Sequence, residues 1–374
     1  MKKTVLKLIS ISLCLIFALG VMSACGNKND GTYVIGCTGP LTGDAASYGL
    51  SVQKGAQLAV EEINALGGDI QFTFLMEDDE ADASKVTTAY ANLLSKGMVA
   101  SIGSVTSGSC ITFAEESAKD NLFFITPSAS ADDAIANPNG YRICFGDPDQ
   151  GMYAAKALAG AYEKIGVIYN TDDAYSAGLL EGFEKEMKAQ NKTNYTTKSF
   201  SNNTKTNFEG QVGDLKDCDV IFLPIYYQEA SLIIAEAEKQ GFEGAFYGCD
   251  GMDGIVKHNA NDASLTAAIK GLKYLAPIDV NSEEENIKKF VTAYETKYGE
   301  TPDQFAADAY DAIYVIYYAM IEAEINDTEI DPSDFCDAIT GVLQGGFEYD
   351  GVTGTMTWDK NGAAVKAPVT IEIK

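Results

Sequence analysis

A chain of 374 residues carries 54 acidic against 27 basic side chains, a net charge of −27 at pH 7. So acidic a surface argues against nucleic acid or anionic lipid as a partner, and otherwise it serves solubility. The length leaves room for two domains, each with a core of its own.

The first 24 residues read as an address rather than as part of the fold. Lys2, Lys3 and Lys7 make a basic start, and 8–21 is mostly apolar but too short to span a bilayer comfortably. Met22-Ser23-Ala24-Cys25 then forms a small-residue cleavage site ending in cysteine. That order resembles the lipobox of bacterial lipoproteins, which implies a lipid on Cys25 as the mature N-terminus; an ordinary signal peptide with an incidental cysteine is the plainer alternative. Cleavage removes three lysines and no acid, taking the net charge from −27 to −30. Residues 25–30 are polar enough for a short tether. No other stretch is long and apolar enough to cross a membrane.

From residue 33 the chain alternates between strand-like and helix-like segments. Val34 and Ile35 begin an apolar run that Gly36, Gly39, Pro40 and Gly43 stop. After Tyr48, the residues Val52, Ala56, Ala59, Val60 and Ile63 fall on one helical face, and Gly67-Gly68 ends that helix. A strand over 70–76, a helix over 83–95, a short strand over 99–102, a helix over 107–119 and a strand over 122–125 follow. Alternation at this spacing predicts βαβ units and a parallel sheet. Asp147-Pro148-Asp149-Gln150-Gly151 interrupts the pattern. A second series has strands near 165–169, 220–223 and 244–247, with helices near 174–189, 229–240 and 254–259. Long helices are predicted over 283–298 and 305–324. The tail turns into two hairpin-like strands joined by Asp359-Lys360-Asn361-Gly362.

Enzyme chemistry finds little to work with. The one histidine, His258, lies in the polar stretch VKHNAND, and nothing around it resembles a nucleophile elbow. Neither a P-loop nor a GxGxxG after a strand is present. The acids Glu77, Asp78, Asp79, Glu80 and Asp82 lack the glycine and terminal glutamate of a calcium loop, and read as solvated loop acids. Cys37, Cys110, Cys144, Cys218, Cys249 and Cys336 contain no CxxC, so a zinc or redox site is not expected; most sit in apolar runs as small buried hydrophobes. Their disulfide state is left open by the sequence.

A glycine-rich loop at the carboxyl end of a strand is where open α/β sheets bind ligands. Gly-Pro-Leu-Thr-Gly at 39–43, Tyr48-Gly49, Gly55-Ala56 and Glu62-Ile63-Asn64 before Gly67-Gly68 resemble the opening of the leucine/isoleucine/valine-binding protein family, amino-acid receptors of bacterial ABC importers. The resemblance covers essentially the whole mature chain. It implies an α/β, two-lobed periplasmic-binding-protein type I fold, each lobe a parallel-sheet sandwich, with three crossings near 147, 277 and 349. The N-lobe would be 31–147 plus 278–348 and the C-lobe 148–277 plus 349–374, closing on a ligand between them. The disulfide of the leucine-binding relatives would fall at Asp82 and Thr106, and is therefore absent.

A zwitterion needs amides and hydroxyls for its carboxylate, and a carboxylate, to which an aromatic face can add, for its ammonium. Two loops after predicted strands, 103–109 and 126–130, offer the first set, although helix capping alone would explain one hydroxyl in each. The resemblance assigns the ligand's main-chain groups to Ser107, Ser128 and Ser130, with Ser128 standing where leucine-type receptors often have alanine. It assigns the ammonium to Tyr226 and Asp250, both at predicted strand ends, with Asp250 one methylene shorter than the usual glutamate; a mere Asp-Gly turn is the alternative. Tyr48 and Tyr175 resemble the family's pocket tyrosines, and either is equally open to a packing role. The implied function is a lipid-anchored, extracytoplasmic, monomeric receptor that captures an amino acid, branched-chain or related, for an ABC permease, without cofactor or catalysis. Two rivals stand beside it: a sensor of amides, urea or another small polar solute on the same fold, and a hydrolase on an α/β scaffold.

Overall fold

The computed structural model describes residues 31–366 and 368–374, so the leader and Cys25 lie outside the described residues. Strand β1 (Tyr33–Gly39) is buried along its whole length, which requires helices on both faces of its sheet. Helix α1 (Ala46–Ala65) turns Val52, Ala56, Ala59, Val60 and Ile63 inward, as their spacing predicts. Then come β2 (Phe72–Asp78), α2 (Ala83–Ser95), β3 (Met98–Ser104), α3 (Ser107–Lys119), β4 (Phe124–Thr126) and β5 (Gly140–Arg142). These strands form a parallel sheet ordered β2-β1-β3-β4-β5.

The stretch expected to interrupt the pattern instead opens helix α4 (Asp147–Leu158). Proline is tolerated there because the first turn has no hydrogen bond for it to remove. The second series runs β6 (Ile165–Asn170), α5 (Ala174–Ala189), β7 (Tyr195–Phe200), α6 (Glu209–Leu215), β8 (Val220–Leu223), α7 (Tyr227–Gln240), β9 (Ala245–Gly248), α8 (Ile255–His258), α9 (Ala263–Ala268) and β10 (Lys273–Ala276). Helices α10 (Glu285–Tyr298), α11 (Gln304–Glu322) and α12 (Pro332–Gln344) follow. Helix α11 returns the chain to the first lobe and lies along α1. The approach is so close that a Cβ on Gly55 would meet the Ala306 carbonyl oxygen at 2.0 Å.

The tail departs from expectation. Strands β11 (Tyr349–Gly351), β12 (Gly354–Trp358) and β13 (Ala364–Val365) form a small antiparallel sheet, its second hairpin at the anticipated turn. That sheet belongs with the first lobe: Trp358 Nε1 donates to the Arg142 carbonyl at 2.9 Å, and the Arg142 amide to Gly362 at 3.0 Å. Only β14 (Val369–Glu372) enters the second sheet, antiparallel to β10, in the order β14-β10-β9-β8-β6-β7. The return to the second lobe therefore falls after Val365 rather than near 349. Lys366 marks it, buried with Asp308 at 3.0 Å and Thr353 Oγ1 at 2.9 Å.

The acidic loop after β2 also differs from its reading as solvated. Asp79 is fully buried, takes bonds from the Ser104 hydroxyl at 2.8 Å and the Ala81 amide at 2.9 Å, and is pushed up by burial. Asp78 accepts from the Leu41 amide and the Thr42 hydroxyl, pinning the glycine-rich loop. The six described cysteines are free, and all but Cys218 are buried.

Candidate functional site

The carboxyl ends of β1, β3 and β4 in one lobe face those of β8 and β9 in the other, and the loops leaving them meet at one small cavity. It is lined by Tyr48, Val105, Thr106, Ser107, Ser128, Tyr175, Tyr226, Asp250, Gly251 and Phe305. Six of the seven residues singled out in the sequence are among them. Larger cavities, of about 980 and 1110 Å³, are lined by none of the seven.

On the first lobe, Ser107 begins α3. Its hydroxyl accepts the amides of Ser130 and Ala131, each at 3.2 Å, which occupies its lone pairs and leaves its proton to donate. Ser128 donates its hydroxyl to the Val105 carbonyl, so this side chain is committed to the protein. Ser130 does not line the cavity. Its carbonyl takes bonds from Arg142 Nη1 at 2.8 Å and the Asp147 amide at 2.9 Å. Its hydroxyl turns toward the Asp147 carboxyl without reaching hydrogen-bond geometry. Ser130 thus stands behind Ser107 and orients it through its amide.

On the second lobe, Asp250 follows β9 in a turn of 3₁₀ helix and is 5% exposed. Tyr175, in the first turn of α5, donates its hydroxyl to Asp250 Oδ1 at 2.6 Å and accepts the Gly251 amide at 2.9 Å. The Asp250 amide and carbonyl are held by Gln150 at 3.1 Å and Gln304 at 2.7 Å. Burial pushes the Asp250 carboxyl up to about 6 against the bonds that favour its charge, the nearby Asp308 adding to the rise. No lysine or arginine among the described residues forms an ion pair with it. Tyr226 precedes α7, and its ring stacks on Tyr175 with centroids 4.8 Å apart and planes within 3°.

Tyr48 joins the lobes. From the first turn of α1 its hydroxyl donates to the Gly251 carbonyl at 2.7 Å and accepts the Tyr227 amide at 3.3 Å. Its ring packs on Phe305 and Tyr226, at 4.6 and 5.5 Å. The cavity left between the lobes is about 10 Å³, room for roughly one water. The lobes are closed, and a larger ligand enters only when they part.

Sequence reasoning missed Phe305, Val105, Thr106 and the Gly251 backbone. Thr106 lay inside a loop already singled out, whereas Phe305 sits in an ordinary helix start after the Asp303 cap and carried no signal of its own. His258 is exposed and packs its ring on Tyr227 at 5.1 Å.

A family model for periplasmic binding proteins matches residues 32–371. The chain belongs to this family. Membership makes it a solute-binding protein rather than an enzyme and implies a place outside the cytoplasm. A curated relative, the leucine-, isoleucine-, valine-, threonine- and alanine-binding protein of Pseudomonas aeruginosa, is 25% identical over 341 residues, 88% of this chain and 87% of the relative. Among solved structures, the LivJ substrate-binding protein of Streptococcus pneumoniae with isoleucine is 24% identical with a TM-score of 0.80, covering 91% of this chain and 96% of its own. A solute-binding protein of R. palustris in complex with benzoate has the same TM-score, 0.80, at 20% identity, covering 92% of this chain and 93% of its own. The two-lobed type I fold is common to all of them, and it accommodates more than one kind of ligand.

Proposed function

We propose that this binding protein captures an amino acid, branched-chain or related, in the cleft between its lobes and presents it to an ABC permease from a lipid anchor on Cys25. The observation that carries the reading is Asp250: a buried carboxylate, gripped by Tyr175, with no ion-pair partner among the described residues. A ligand ammonium is the partner it lacks. The Ser107 proton, the α3 N-terminus and the surrounding amides face it from the other lobe and suit a carboxylate. One zwitterion therefore touches both lobes at once. Contacts made only when the lobes are together favour the closed state, which is the form a permease would recognise. The lobe division that supports this hinge is 31–147 with 278–366 against 148–277 with 368–374.

Calorimetric titration of the purified protein with the twenty amino acids and a set of small amides tests the reading. Binding of at least one α-amino acid is expected. Asp250→Asn keeps an acceptor for Tyr175 but removes the charge, and should weaken that binding by about 100-fold, the usual ~3 kcal/mol for one half of a buried charge pair. Unchanged affinity would take Asp250 out of the site.

A further inference from the structure

Beside the inner cavity lies a second space of about 640 Å³ at the mouth of the cleft, a size ordinary for small-molecule sites. Thr106 and Tyr226 line both spaces. One comes from each lobe, so the partition between the two spaces is made of halves that separate when the lobes part. The inner cavity has no room even for the main chain of an amino acid. A ligand admitted by opening therefore meets the outer space as well.

That outer space is chemically one-sided. Asp44, Glu80, Asp82, Asp172, Asp173 and Glu229 line it against a single cation, Lys205. Lys205 is already shared between Asp44 at 3.0 Å and Glu229 at 3.6 Å. Glu229 is 9% exposed, which is not where a solubility charge belongs. Burial raises both Glu229 and Asp173, Asp173 to about 6, with the charge of Glu229 contributing to the rise at Asp173. An independent observation points the same way. The Thr106 hydroxyl is buried, the residue 6% exposed, and makes no hydrogen bond. A buried hydroxyl without a partner calls for a polar ligand atom. An aliphatic side chain in this space would desolvate carboxylates and return nothing, whereas a cation would pair with them.

We propose that the ligand is an α-amino acid with a cationic side chain, its main-chain groups held at Ser107 and Asp250 and its distal amino or guanidino group between Asp173 and Glu229. This rests on the amino-acid reading given above and narrows it. The test is calorimetric titration of the purified protein with L-arginine and L-lysine, set against their uncharged counterparts L-citrulline and L-norleucine and against L-leucine. At least one cationic amino acid should bind about tenfold or more tighter than its neutral counterpart, the scale of a partly desolvated ion pair. In the Asp173→Asn, Glu229→Gln double variant that gap should close to within about threefold, through loss of affinity for the cationic ligand and none for its neutral counterpart; a circular-dichroism melt confirms that the variant folds. Equal affinity for each charged and neutral pair, or tighter binding of leucine, overturns this inference and leaves the amino-acid reading standing. Absence of binding by any α-amino acid overturns both.

Discussion

The ligand-free Asp250 carboxyl, raised to about 6 by burial, makes affinity depend on pH in a defined direction. An ammonium pairs with the carboxylate and not with the carboxylic acid. The free protein therefore holds the Asp250 proton more tightly than the complex does, and binding expels it. Affinity must rise with pH up to about 6 and level off above. With that value the carboxyl is about one-tenth protonated at pH 7 and ten-elevenths at pH 5, so affinity should fall about tenfold between them, roughly 1.4 kcal/mol. Asp303 and Asp253 face each other across the lobe junction and are both raised by burial; closure brings these like charges together and takes up protons, which acts in the opposite sense. Asp250→Asn keeps that pair and removes the carboxyl in question, so the difference between wild-type and variant profiles isolates Asp250. The assay is calorimetric titration from pH 5 to 8 in buffers of different ionisation enthalpy. Wild type relative to variant should release about half a proton per ligand at pH 6, approaching one at pH 5. A flat difference profile, with no proton release, would refute the assignment of Asp250 to the ligand's cation.

Other consequences follow from packing. Because the folded-state value of Asp250 lies above its usual 3.8, charging it weakens the fold as pH rises from about 4 to 6; Asp250→Asn should raise the ligand-free melting temperature at pH 7 but not at pH 4, the linked energy being at most ~3 kcal/mol. Gly55→Ala would place a Cβ 2.0 Å from the Ala306 carbonyl and should destabilise the fold by about 2 kcal/mol or more in urea unfolding, since neither helix backbone can yield cheaply. Lys366→Met leaves Asp308 buried without its cation and should cost about 3 kcal/mol at pH 8; burial already raises Asp308 to about 6 beside Lys366 and further without it, so the loss should shrink as pH falls toward 6 and the acid protonates. Tyr48→Phe removes the interlobe bond to Gly251 and should shift small-angle scattering of the ligand-free protein toward a larger radius while weakening ligand binding by about 1 kcal/mol.

The cleft was legible in the sequence to the extent that its residues sit where parallel strands end. Ser107, Tyr226 and Asp250 each follow a short apolar run, and strand ends in α/β sheets converge on one edge. Ser130 was read as a contact on the family resemblance, whereas in this chain its carbonyl is taken by Arg142 and the Asp147 amide and the residue stands behind the cavity wall. Helix α4 was hidden because Asp-Pro-Asp-Gln-Gly carries turn chemistry and helix-start chemistry alike. The tail misled for a different reason. Its hairpin is local and was foreseen, yet which lobe it docks on depends on Trp358 reaching the Arg142 carbonyl, 216 residues away in sequence. Asp79 looked like one acid among several, and only the fold supplies the Ser104 hydroxyl that makes its burial tolerable.

Polar bonds cross the closed cleft at several points. Tyr48 donates to Gly251 and accepts from the Tyr227 amide, Tyr227 donates to the Asp44 carbonyl at 3.0 Å, and Gln304 donates to the Asp250 carbonyl and to Asp253, while Lys205 pairs with Asp44 and Lys257 with Glu300. Each polar bond of this kind contributes about 1 kcal/mol net, and the exposed ion pairs less. Against them stand the uncompensated Asp250 and the facing acids Asp253 and Asp303, whose burial opposes closure at neutral pH. The two sets act on closure in opposite directions. A zwitterion that neutralises Asp250 removes the largest opposing charge at the moment it adds contacts to Ser107. Differential affinity of that kind is what a ligand must have to close the lobes, and it arises here because one buried carboxylate penalises the closed form until a cation reaches it.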